Sequence, residues 1–268
     1  MLPKLALYDL NVMPTTFDFA VFAVMAKSLS YAEVRFVVGM ADWKYSAEIG
    51  WRRWANICIP ICKLVRIPFS VGTKLEGDVL GYATGQLEHL YKKIGKLARL
   101  KPTYEFPSNG YVTLTMRDSF RNTWRNSNRE EWAKVGEYLS KRGERVIVLE
   151  ECERNPLDLE ERMAIYANAK MNLAVGNGPM VMCWLSDAPY LSFQLPKPPG
   201  HEKEYDQLVD QWKRLGFPVG SQLSFRGPRQ EIVWGPDDFE LIKQKYEELV
   251  DGHPVDPKAG DRLSNESD

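Results

Sequence analysis

Histidine is nearly missing from this sequence. His89, His201 and His253 are the only three, and they lie far apart. A hydrolytic triad needs an imidazole beside its nucleophile, and no GxSxG elbow is present, so triad chemistry has little support. Cysteine is scarce as well. Cys58, Cys62, Cys152 and Cys183 form no CxxC pair. Cys58 and Cys62 could share a helix face, but two sulfurs make only half a zinc site. Buried, reduced thiols are expected, which fits a cytoplasmic location. The phosphate loop GxxxxGK[ST] is absent, and so is the dinucleotide fingerprint GxGxxG, because Gly176-Asn-Gly178 runs on into Pro-Met-Val. No run approaches the ~18 to 20 apolar residues of a membrane span. Met1-Leu-Pro-Lys leads into a short strand, with no cleavable apolar leader. Neither charge sign dominates, with 35 Lys plus Arg against 36 Asp plus Glu. Bulk nucleic-acid binding therefore has no electrostatic basis, and no nucleic-acid partner is expected.

What is present is the pattern of an α/β protein. With 268 residues, 44% hydrophobic and 26% charged, the chain suits one large domain or two small ones. Lys4 to Tyr8 reads as a buried strand and Val34 to Val38 as a second. Between them Phe17, Ala20, Val21, Val24, Met25 and Leu29 follow helical spacing, with Thr15 or Thr16 as cap. Strand, helix, strand implies a parallel sheet. Trp51 to Pro68 combines two tryptophans, an apolar middle and Arg52, Arg53, Lys63 and Arg66. It reads as a core helix broken near Pro60 with a basic rim, and alternatively, over Trp51 to Arg66, as a peripheral contact with an anionic membrane surface. Phe69 to Val71 is a third strand candidate, and Gly77 to Leu100 is mainly helical. Pro102 to Gly110 reads as a linker. A second βα series follows it, with strands at Tyr111 to Met116, Arg145 to Leu149, Met171 to Val175, Tyr190 to Phe193 and Glu231 to Trp234. The expected division is an N-terminal domain over 1–101, a linker over 102–110, a second domain over 111–250 and a disordered tail over 251–268.

Polar residues just past parallel strand ends face the ligand edge of such a sheet. Three groups stand there in the second series. Arg117, followed by Arg121, Arg125 and Asn126, offers guanidinium forks suited to phosphate or carboxylate, or a capped helix (Asn126 or Ser127 as cap) with its arginines in solvent. Glu150 and Glu151 could hold ribose or sugar hydroxyls, or could pair with Arg154 or Arg162. Gly176-Asn177-Gly178-Pro179 is either a tight turn or an anion cradle with unpaired N–H groups at a helix start. In the first series Asp9 and Asp18 are candidate general bases, with loop capping and helix-dipole stabilisation as the plainer uses.

The stretch ANAKMNLAVGNGPMVMCWLSDAPYLSF resembles the late donor-binding strand–turn–helix of bacterial surface-polysaccharide transferases such as the heptosyltransferase group. VTLTMRDSFRNTWRNSNREEW resembles the strand–loop–helix that opens the donor half of such enzymes. YDLNVMPTTFDF is similar to an N-terminal segment of proteins associated with cell-surface glycan synthesis. The resemblance implies the GT-B architecture, two Rossmann-like βα domains facing a cleft. It implies donor phosphate contacts at Arg117, Arg121, Asn177 and Gly178, nucleoside or sugar contacts near Glu150 and Glu151, and acceptor activation by Asp18 or Asp9. The partners implied are a nucleotide-sugar donor and a glycan or lipid-linked acceptor, at the inner face of the membrane. The DxD pair of metal-dependent sugar transferases does not occur, so the expected transfer uses neither a metal nor another cofactor. A nucleotide-sugar epimerase and a non-catalytic nucleotide- or glycan-binding module are the alternatives. The chain departs from the family pattern in its short length, in Asn177-Gly178 where an Asp- or Ser-rich turn is usual, and in having no histidine at the first active loop.

Overall fold

The computed structural model describes residues 4–38, 47–107, 110–119, 123–151, 158–196, 198–214 and 216–252. Short apolar runs that end in polar residues or glycine become the strands of two separate, all-parallel sheets. The first sheet holds β1 (Leu5–Asp9), β2 (Glu33–Val37), β3 (Phe69–Gly72) and β4 (Asp78–Val79), in the order β3-β2-β1-β4. The second holds β5 (Tyr111–Arg117), β6 (Arg145–Glu151), β7 (Met171–Val175), β8 (Tyr190–Gln194) and β9 (Gln230–Trp234), in the order β6-β5-β7-β8-β9. β5 is buried along its whole length, as a central strand covered on both faces must be. β9 takes the expected edge position beside β8.

Helices make the crossovers. In the first half these are α1 (Asp18–Ser28), then α2 (Ala47–Arg53), which continues through a π-helical turn (Trp54–Cys58) into α3 (Ile59–Leu64), and α4 (Thr84–Ile94). In the second half α5 (Arg129–Lys141), α6 (Leu159–Asn168), α7 (Met180–Trp184), α8 (Glu202–Arg214) and α9 (Phe239–Val250) alternate with the strands. The chain is thus α/β, with two Rossmann-like halves.

Several local expectations are corrected. The helix over 47–64 does not break at Pro60. Proline sits at the second position of α3, where the ladder has already slipped by one residue, as the Ile59 N–H bonding the Trp54 carbonyl shows. α1 is not capped by a threonine side chain. Its first flanking residue is Phe17, and the Thr16 hydroxyl turns instead to the Asp18 carboxylate at 2.8 Å. Gly77 to Leu100 is helical only over α4. Gly95, at φ +71°, ends it, and the two-residue β4 lies upstream. α5 is capped by Asn128, while Asn126 and Ser127 fasten the preceding loop to Ser119 and Arg117.

One apolar cluster passes through both halves. It joins Tyr8, Phe19, Phe22 and Phe36 to Met163, Tyr166, Met180 and Cys183. A second fills the outer face of the second sheet under α5 and α9, around Trp132, Phe193, Ile242 and Tyr246. The segment between the sheets is tied to helical elements of both halves. The Leu100 N–H donates to the Leu185 carbonyl at 2.9 Å and the Lys101 N–H to the Leu64 carbonyl at 2.9 Å. Cys58, Cys62 and Cys183 are free and buried, and burial raises all three thiol pKa values. Cys152, and the tail expected from 251 onward (apart from 251 and 252), lie outside the described residues. Among the described residues no helix is long and apolar enough to cross a membrane.

Candidate functional site

In an open parallel sheet the strand order reverses at one place, and the loops leaving the carboxyl ends there diverge and leave a crevice. In the first sheet the reversal falls between β1 and β4. Its two loops supply Thr16, Phe17 and Asp18 after β1 and Tyr82, Ala83 and Thr84 after β4. In the second sheet it falls between β5 and β7, whose loops supply Asp118 and Arg125, then Gly176 through Pro179. All of these residues line a single cleft of about 1340 Å³. The two crevices face each other.

Asp18 stands on the first wall. Its carboxylate is open to the cleft, yet the surrounding protein displaces enough water to raise its pKa, against the opposing hydrogen bond from Thr16. Asp9 is spent differently. Its Oδ1 accepts from the Asn11 backbone N–H at 2.9 Å and from Asn11 Nδ2 at 2.8 Å, closing the loop after β1, and it does not line the cleft.

On the second wall, Arg125 Nη2 donates to the Gly176 carbonyl at 3.0 Å, binding the loop after β5 to the turn after β7. The glycines have packing reasons. A methyl group at Gly176 would collide with the Gln194 amide, and one at Gly178 with the ring of Phe17. Phe17 thereby seats the first half on the second and sets Asp18 beside the Asn177–Pro179 turn. The expected unpaired N–H groups of that turn are largely engaged. The Met180 N–H donates to Asn177 Oδ1 at 3.0 Å, the Val181 N–H to the Gly178 carbonyl at 3.1 Å and the Met182 N–H to the Pro179 carbonyl at 3.0 Å. α7 has only five residues. What the turn leaves unpartnered is the buried Nδ2 of Asn177.

Other expected residues fall elsewhere. Arg117 ends β5, is buried, and is not among the cleft-lining residues. Glu150 and Glu151 are the last residues of β6 rather than the loop beyond it, in register with Met116 and Arg117. The Glu150 carboxylate meets Arg129 at 3.5 Å, on the surface. Arg121 and the side chain of Glu151 lie outside the described residues.

The sequence reading missed much of the wall. Arg52, Arg53 and Lys63 of the α2–α3 helix face the cleft, and Lys63 reaches Glu160 of the opposite half at 2.5 Å. The signal was the WRRW spacing, read as a rim without a direction. An aromatic wall was missed too, because its members come from three separate segments. Trp212 and Trp234 meet edge to face at 5.5 Å, Trp234 and Phe217 lie 6.0 Å apart, and Phe217 and Trp184 lie 6.4 Å apart. All four line the cleft, with the Gln194 amide beside them. Aromatic faces bind flat apolar surfaces such as sugar rings and bases, while a side-chain amide supplies both N–H donors and a carbonyl acceptor. Among the described residues, no group of His, Cys, Asp or Glu side chains is arranged to hold a metal ion.

The fold and the cleft define an α/β protein with two facing parallel sheets. No family model matches the chain, and no curated protein does. Among solved structures it is similar to the bacterial iron-containing dodecameric glycosyltransferase TibC from enterotoxigenic E. coli H10407, at 13% identity and a TM-score of 0.42, over 71% of this chain and 58% of that one. It is similar also to the dodecameric iron-containing heptosyltransferase TibC in complex with ADP-D-beta-D-heptose, at 12% identity and a TM-score of 0.44, over 72% of this chain and 58% of that one. The chain thus spans less than two thirds of the length of these structures. The fold class rests on the sheet topology itself.

Proposed function

We propose that the protein is a metal-independent glycosyltransferase that moves a sugar from a nucleotide donor to a glycan or lipid-linked acceptor. The observation that carries this reading is the facing pair of strand-order reversals, with a carboxylate on one wall and a guanidinium on the other. Sugar transfer needs both. The acceptor hydroxyl loses its proton as its oxygen bonds to the anomeric carbon, and the bond from that carbon to the nucleotide phosphate breaks, leaving charge on the phosphate oxygens. In this reading Asp18 takes the proton, its raised pKa making it a stronger base than an ordinary aspartate. Arg125 and the Gly176–Pro179 turn face the departing phosphate. The aromatic wall receives the flat parts of the donor. Arg117, which does not line the cleft, and Glu150, which is paired with Arg129 on the surface, are secondary candidates in this reading.

The experiment is a panel of nucleotide-sugars with thermal stabilisation and nucleotide release as paired readouts. One donor is expected to stabilise the protein and turn over, Arg125→Ala to abolish the stabilisation, and Asp18→Asn to cut turnover by ~10²- to 10⁴-fold with binding kept. Turnover falls as Asp18 takes up its proton, so the acid limb of the rate profile should lie above the ordinary carboxylate range and vanish in Asp18→Asn. Stabilisation without turnover for every donor would leave a binding module, and turnover without acceptor to an isomeric sugar would make the protein an epimerase. No response to any nucleotide would end the proposal.

A further inference from the structure

Arg162 sits in the first turns of α6, is only 2% exposed, and lines the cleft. A guanidinium this deeply buried ordinarily has a carboxylate beside it, because an uncompensated charge costs several kcal/mol in a low-dielectric site. Arg162 has no such partner among the described residues. Its Nη1 donates to the Tyr166 hydroxyl at 3.0 Å and its Nη2 to the Glu150 main-chain carbonyl at 3.3 Å, while its Nε has no partner. The Tyr166 ring, 5.8 Å away, offers a face and no charge. Two of the three acids of the same turn are engaged. Asp158 Oδ1 caps the Glu160 and Glu161 N–H groups at 2.8 and 3.1 Å, and Glu160 holds Lys63 and Thr103. The Glu150 carboxylate belongs to Arg129. Tyr166 is fixed in turn by Thr115 at 2.9 Å, so the guanidinium is held in one place by neutral groups. A charge that is fixed and buried, with no carboxylate partner among the described residues, and set in a cleft wall is a site built for an incoming anion.

We propose that Arg162 anchors an oxyanion, a phosphate or carboxylate carried by a cleft ligand, at a subsite separate from the Arg125–Gly176 wall. Arg52 and Arg53 line the same cleft from the first half, while Lys63 of α3, which packs against α6, is already paired with Glu160. If the transfer reading holds, the anion at Arg162 belongs to the acceptor, which is then acidic. The subsite itself does not depend on that reading.

The test uses the full chain with inorganic phosphate and with malonate as probes, followed by thermal shift and calorimetric titration at constant ionic strength. The wild type is expected to gain stability with one of the two, and which one names the chemistry. Arg162→Met should weaken that probe at least tenfold, while its melting temperature without anion stays equal to the wild type or rises, because a buried unpaired charge has been removed. Arg162→Lys should keep part of the response, and Lys141→Gln, an exposed residue outside the cleft, all of it. A structural arginine behaves oppositely. A lower melting temperature without anion, with an unchanged anion response in Arg162→Met, or in Arg162→Lys should Arg162→Met not fold, would overturn the proposal. An anion response lost at Arg162 with no nucleotide turnover anywhere would keep the subsite and refute the transferase.

Discussion

Gly178 carries its argument in the atom it lacks. The Phe17 ring occupies the place a β-carbon would take, so the two halves meet through a bare backbone and an aromatic face. Gly178→Ala should therefore destabilise the fold by ~1–3 kcal/mol, the usual cost of overpacking. Adding Phe17→Ala should restore part of that loss, since the collision needs both groups, and a coupling of this kind appears as non-additivity in urea denaturation. Strict additivity would mean that the two residues do not touch. At this scale the sequence was legible where a residue lies just past a strand end or at a helix start. Asp18 is in the cleft as expected, and Arg125 is in the cleft beside Gly176. It was illegible where the use depends on distant strands. Gln194 turns into the cleft only because Gly176 leaves room for its amide, and Arg162 became conspicuous only in the fold, where it is buried with no carboxylate partner among the described residues.

The helix over residues 47–64 shows what periodicity conveys and what it hides. Its apolar side was readable, and Cys58, Ile61, Cys62 and Leu64 are buried as the pattern implies. The π-helical turn was not readable, because one inserted residue shifts the phase of everything before it without altering composition. That shift directs Arg52 and Arg53 toward the cleft. Deleting Ala55, an exposed residue inside the turn, should convert it to α-helix and rotate α2 by roughly 100° about its axis relative to α3. The expected result is an unchanged circular dichroism spectrum with weakened anion or nucleotide binding. Unchanged affinity would remove α2 from the site. β4 escaped for a different reason. Two residues carry no alternation, and only pairing with β1 makes them a strand. β6 ran past its expected end because a parallel ladder continues as long as its neighbour does, and Glu150 and Glu151 are paired opposite Met116 and Arg117. The remaining strands of the second sheet were legible because their apolar runs are bounded by turns and charged residues on both sides.

At the scale of the whole molecule, the sequence suggested two bodies joined by a linker, and the packing joins them more firmly than that picture implies. The larger apolar cluster belongs to both halves. Lys63 pairs with Glu160, the Ser224 N–H donates to Glu88 at 2.9 Å, and Arg99 bonds the Phe225 carbonyl, all across the same boundary. Calorimetry should show a single unfolding transition with equal calorimetric and van't Hoff enthalpies, and two resolved transitions would show that the halves fold independently. The shared core also bears on the thermodynamics of ligand capture. Two walls already held together have met their ordering entropy during folding, so little of it remains to oppose association. The heat-capacity change on binding should then follow the apolar area of the ligand and the aromatic wall alone, with no added contribution from halves closing over it.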